Sequence, residues 1–218
     1  MTTDTRTRGR PPQIVLLCGF AALGVLAGIA AKAADESGLT WAAELGTLPA
    51  AWVLAVALIG RCSPTLPLAA GRAATFFAAM TLAYYAWAVW VLGFGYEPGL
   101  VVTWLALSAT AVAAVAAATW WATRRPGLVA GGLVALVAGT ALVGGALRGL
   151  YLWWADSYPA TALQPVQAVV EVVAVLVLTL LLPRHRSTRV WGLALVLPMW
   201  WLADRLIAVA LYGTGILR

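Results

Sequence analysis

Seven apolar stretches, near 13–31, 41–60, 72–93, 100–122, 127–147, 163–182 and 190–212, alternate with short polar or Gly/Pro-rich connectors. Each is about 20 residues long, and at about 1.5 Å rise per residue that reaches across the ~30 Å hydrocarbon core of a bilayer. The pattern predicts an all-α polytopic membrane helix bundle of about seven transmembrane helices. It divides the chain into a tail over 1–12, one transmembrane domain over 13–212 and a short tail over 213–218. The second stretch spans only if it begins near Trp41 and carries Pro49 as a kink. The longest connectors, 32–40 and 148–162, are too short for a separate domain.

Composition agrees. Of 218 residues, 63% are hydrophobic and 10% charged, and the mean hydropathy is +0.91. A water-soluble fold cannot hide that much apolar surface. The formal charge of +6 does not point to nucleic acid, because the arginines fall in short clusters between apolar runs rather than along one face. The anionic cytoplasmic leaflet is the better partner. Connectors holding Arg6, Arg8, Arg10, Arg61, Arg72, Arg124, Arg125, Arg184, Arg186 and Arg189 alternate with connectors holding Lys32, Arg148 and Arg218. By the positive-inside rule the N-terminus is cytoplasmic and the C-terminus outside, in a multi-pass protein of the plasma membrane. The first apolar run exceeds the 7–15 residues typical of a signal peptide and is read as a retained helix. One lysine among the cations, with abundant Ala, Gly and Val, resembles proteins of high-GC actinobacteria.

Cys18 and Cys62 both lie near the cytoplasmic side, where thiols stay reduced, and a single histidine, His185, gives no metal-ligand cluster. No metal or cofactor is expected. Small residues at four-residue spacing, Gly24/Gly28, Gly127/Gly131 and Gly145/Gly149, predict close helix packing.

Charges within hydrocarbon cost about 2.5–3.5 kcal/mol each at a helix centre, so those that persist are candidates for function. Glu171 shares a face of the sixth helix with Gln167. Asp204 and Arg205 lie in the outer half of the seventh, Glu44 near the outer end of the second, and Arg148 at the outer end of the fifth. Two readings stay open. Arg148 or Arg205 pairs with Asp204 or Glu171 and clips helices together, or the acids serve a site. Glu44 has the further alternative of a wet, interfacial position.

Of the 12 tryptophans, Trp41, Trp120, Trp121, Trp153, Trp154 and Trp191 flank connectors as interfacial anchors. Trp52, Trp87, Trp90, Trp104, Trp200 and Trp201 lie deeper or toward the outer half. Phe77, Met80, Tyr84 and Trp87 form one stripe on the third helix, which serves packing or lines a pocket. A carboxylic acid held among apolar groups can donate a proton, and indole and phenol faces stabilise positive charge. Together they suit protonation-initiated cyclisation of a lipophilic isoprenoid that enters from the bilayer. The sequence carries no GxSG, HExxH or Walker loop for other chemistry.

In length, helix number and the placement of an acid early in the chain and another on the last helix, the sequence resembles the small membrane-bound terpene cyclases of fungal meroterpenoid and indole-diterpene pathways and their actinobacterial counterparts. That resemblance implies catalytic roles for Glu44 and Asp204. Tyr84, Trp87, Trp104, Trp200 and Trp201 would line the substrate cavity, with Glu171 and Arg205 beside it and without counterparts in that family. The stretch from Leu45 to Trp52, followed by Gly60 and Arg61, also resembles small polytopic actinobacterial membrane proteins without an assigned activity. The second reading is therefore a non-enzymatic transporter or accessory protein whose Arg148, Glu171, Asp204 and Arg205 form a structural or proton-linked charge network.

Overall fold

A computed structural model describes residues 13–47, 49–143, 145–155 and 163–213. Arg6, Arg8, Arg10 and Arg218 lie outside them. The described residues are helical, with no strand: α1 (Gln13–Asp35), α2 (Thr40–Thr47), α3 (Pro49–Cys62), α4 (Leu66–Trp90), α5 (Pro98–Leu107), α6 (Ala113–Ala122), α7 (Leu128–Ala141), α8 (Ala146–Trp154), α9 (Pro165–Leu176) and α10 (Arg186–Gly213). A π-helical turn, Ser108–Val112, joins α5 to α6, and another, Val177–Leu181, extends α9. Prolines open α4, α5 and α9, where the first-turn N–H would be unpaired in any case.

Helical runs occupy all seven apolar stretches, but not as seven long rods. Gln13–Asp35, Leu66–Trp90, Pro98–Ala122 and Arg186–Val209 are each long and apolar enough to cross a membrane, and α7 with α8 makes a fifth if the bent pair counts as one span. Across the second stretch the described residues form α2 and α3, with Pro49 the first residue of α3; the kink expected there adjoins position 48, which lies outside the described residues. The fifth turns by 71° between α7 and α8. Gly145 sits there at φ +84°, a conformation that a side chain disfavours. Gly127, with φ +102°, likewise starts α7 as a turn residue rather than packing against a neighbour. Arg148 consequently lies on α8, beyond the bend, and not at the end of a straight fifth helix.

Helices α1 and α4 meet along a ladder of contacts. The Arg72 guanidinium lies 5.5 Å from the Phe20 ring centre, and the Lys32 ammonium 5.1 Å from that of Tyr84. Between these rungs a Cβ on Gly24 would enter the Phe76 carbonyl, and one on Gly28 the Met80 carbonyl. The sequence separation between partners is the same at every rung, so the two helices run parallel. Helix α7 packs on α10 in the same sense, with Gly131 against Trp191 and Gly139 against Met199 and Trp200. Without a hydrophobic drive between helices in lipid, such close backbone approach supplies the packing energy.

One end of the bundle is stapled by arginine. The Arg124 guanidinium donates to the carbonyls of Trp120 (2.8 Å), Arg61 (2.9 Å) and Ser63 (2.8 Å). Arg61 Nε donates to the Leu182 carbonyl at 2.9 Å, and Thr188 Oγ1 to the Arg125 carbonyl at 2.6 Å. These carbonyls lie at or just beyond the C-terminal ends of α3, α6 and the α9 run, where helices leave acceptors unpaired and favour positive charge. Partial burial and the nearby Arg61 and Arg184 push Arg124 below its ordinary value. The connectors expected to share one side of the membrane thus meet at one end.

Candidate functional site

The opposite end gathers the acids, because α2, α8 and α9 begin or break there. Helix α9 has Gln164 as its N-terminal flank and Pro165 in its first turn, and Gln164 supplies no side-chain cap. Helix α8 is preceded by Gly145, which has no side chain to offer. Both starts therefore present backbone N–H groups without a local acceptor.

Glutamates from other helices supply the acceptors. Glu44 of α2, 6% exposed, accepts the backbone N–H of Gln167 through Oε2 at 3.2 Å. Glu171, fully buried, accepts the backbone N–H of Leu147 through Oε2 at 3.2 Å and the Gln167 side-chain amide through Oε1 at 3.0 Å. The two carboxyls are joined through one residue, Gln167, which donates its main-chain N–H to one and its side-chain amide to the other. Each carboxylate faces the positive end of a helix dipole, which lowers the cost of keeping an acid in the interior.

Asp204 stands apart from this pair. It is exposed on α10 and lines a groove of about 670 Å³ between the α7–α8 bend and α10, shared with Arg148, Trp200, Trp201 and Arg205. Among the described residues Arg148, Asp204 and Arg205 make no ion pair with one another or with Glu171; the ion pairs join Lys32 to Asp35 and Glu36. The Arg205 guanidinium lies 5.6 Å from the Trp201 ring centre. Gly145 and Leu142 complete the groove on the side of the bend.

The remaining aromatic candidates occupy other places. Tyr84 donates its hydroxyl to Asp35 at 2.9 Å, and its ring, with that of Phe94, brackets the buried Lys32 ammonium. Lys32 also donates to Glu36 at 2.6 Å, so this corner closes the α1–α4 ladder. Trp87 lines a wide apolar recess on the α1–α4 face with Trp90. Trp104 is exposed on α5. Phe77 meets Trp52 edge to face at 6.2 Å and belongs to the packed interior. The structure therefore brings Glu44, Gln167 and Glu171 together, and separately Trp200, Trp201, Asp204 and Arg205 with Arg148.

Gln167 is central to the first group, and its amide at i,i+4 from Glu171 was visible as a shared helix face. The role of Leu147 was not, because its contribution is a main-chain N–H. The readable clue was negative: neither Gly145 nor the Gln164-Pro165 pair is a good local cap. The chain matches no family model, no curated protein and no solved structure.

Proposed function

We propose that this is a seven-span, multi-pass protein of the plasma membrane, N-terminus in the cytoplasm and C-terminus outside, that binds a lipophilic small molecule at its acid end without transforming it, as a transport or accessory component. The observation that carries this reading is the difference in how the acids are used. Glu44 and Glu171 are engaged by helix-start amides, whereas the charges left available line an open groove beside two tryptophans. A proton donor for cyclisation must face its substrate. Seven spans are supported by the seven helical runs, by the parallel α1/α4 and α7/α10 pairs, and by the arginine connectors at one end.

Membranes carrying the protein are incubated with farnesylated and geranylgeranylated acceptors and their epoxides, and the detergent-purified protein is tested for retention of the same compounds. The proposal expects saturable retention that falls on Trp201→Ala, and no cyclised product. A cyclase reading is favoured by one contact set, Asp204 in the same groove as Trp200 and Trp201. Cyclised product that disappears in Asp204→Asn establishes that reading instead.

A further inference from the structure

The charged rim of the α7–α8/α10 groove specifies a ligand more narrowly than its apolar floor does. Two guanidiniums and one carboxylate border one space of about 670 Å³. All three side chains are exposed, and among the described residues none forms an ion pair within 4.0 Å. Elsewhere the protein spends its cations differently. Arg61 and Arg124 cap carbonyls, and Lys32 is enclosed by carboxylates and rings. Arg148, Asp204 and Arg205 border one groove, and among the described residues no ion pair offsets them.

Their setting is that of a headgroup layer. The 71° bend turns α8 away from the α7 axis, and α8 exposes Tyr151, Trp153 and Trp154. Aromatic side chains of this kind settle at the boundary between hydrocarbon and water. Arg148 stands in the first turn of α8, and the groove below it is floored by Leu142, Leu197 and Trp200. A ligand that fills this space has a charged head at the level of Arg148 and an apolar body lower down.

We infer that the groove is a binding site for a phosphodiester lipid whose head group carries hydroxyl donors and no further charge, of the phosphatidylglycerol type. This rests on the groove-binding reading above and names its ligand class. Charge balance selects the head group. The rim carries one net positive charge, which a phosphodiester neutralises, a zwitterionic choline lipid leaves in place, and a phosphomonoester at its second ionisation overshoots. Planar guanidiniums suit phosphate oxygens, forming two parallel hydrogen bonds each. The Asp204 carboxylate, which accepts and does not donate, then meets a hydroxyl donor rather than a second anion. Basic pockets between helices at the membrane surface recognise lipid head groups by the same chemistry.

The test is equilibrium binding to the purified full chain in detergent, measured by native mass spectrometry with dihexanoyl-phosphatidylglycerol, dihexanoyl-phosphatidylcholine, glycerol 3-phosphate and farnesol as separate probes. The expected result is preference for the glycerol lipid over the choline lipid by about tenfold or more. Arg148→Ala and Arg205→Ala should each weaken the glycerol lipid about tenfold, Arg205→Lys less, and all variants should keep the wild-type melting temperature because among the described residues these side chains hold no other element. Equal affinity for the two lipids, or insensitivity to both arginine changes, overturns the inference. Glycerol 3-phosphate binding as tightly as the lipid overturns it too, by making the site one for a free phosphate. Farnesol bound in a Trp201-dependent way without arginine-dependent lipid binding rejects the head-group inference and leaves the proposed function standing. No binding of any probe rejects both.

Discussion

Glu171 accepts the main-chain N–H of Leu147 at 3.2 Å, so the start of one helix is capped by a carboxylate from another. The arrangement predicts a graded response to substitution. Glu171→Ala leaves a buried N–H and the Gln167 amide without partners, which costs about 3 kcal/mol. Glu171→Gln keeps an acceptor oxygen and should cost about 1 kcal/mol by the same reasoning. Thermal unfolding in detergent checks this, with about 2–4 °C of melting temperature lost per kcal/mol at this chain length.

The α1–α4 ladder predicts asymmetry among glycines of one helix. Gly24→Val and Gly28→Val drive a side chain into the Phe76 and Met80 carbonyls, whereas Gly19 faces open space. Overpacking of this kind typically costs about 1–3 kcal/mol. Melting temperatures should fall for the first two variants and stay at the wild-type value for Gly19→Val, measured on protein extracted in the same detergent.

The arginine-stapled end makes a related prediction. Arg124→Ala removes donors to three carbonyls, those of Trp120, Arg61 and Ser63, and a loss of about 3 kcal/mol is expected for charged hydrogen bonds of this number and partial exposure. Arg186→Ala, exposed at the start of α10, should leave stability unchanged. Limited proteolysis of membranes checks the local effect, with cleavage in 61–65 and 183–189 increased by the first substitution alone.

Much of the all-helical architecture is legible in hydropathy, because helical runs occupy the apolar stretches and four of them, or five with the bent pair, are long and apolar enough to cross a membrane. The Gly24/Gly28 contact follows from single residues whose missing side chains admit a neighbouring backbone. What could not be read is where the chain turns by tertiary demand. The pattern across 127–147 is continuous in hydropathy, yet a glycine at positive φ ends α7 early and sends α8 sideways. The site suffered from the same blindness. Glu44 and Glu171 stood out as acids within apolar stretches, Glu44 with a wet, interfacial position left open, but the N–H groups that hold them belong to main chain at distant helix starts, which side-chain motifs do not encode. Asp204 and Arg205 lie side by side in sequence and line one groove without pairing.

Orientation is testable with the chain's own thiols. Cys62 is free and exposed at the arginine end, and Tyr96 is exposed in the connector at the other end. In a Cys18→Ser background, a membrane-impermeant maleimide added to intact cells should leave Cys62 unlabelled until permeabilisation. It should label Tyr96→Cys, made together with Cys62→Ser, at once. The reverse pattern inverts the N-in orientation.

The account turns on Glu44 and Glu171 being caps for helix starts, each for a different helix. Amide hydrogen exchange followed by mass spectrometry, on the wild type, Glu44→Ala and Glu171→Ala, measures this directly. Glu44→Ala should accelerate exchange in 165–169 and leave 146–149 protected, while Glu171→Ala should accelerate exchange in 146–149. Wild-type protection of 146–149 in Glu171→Ala, or of 165–169 in Glu44→Ala, contradicts the capping account.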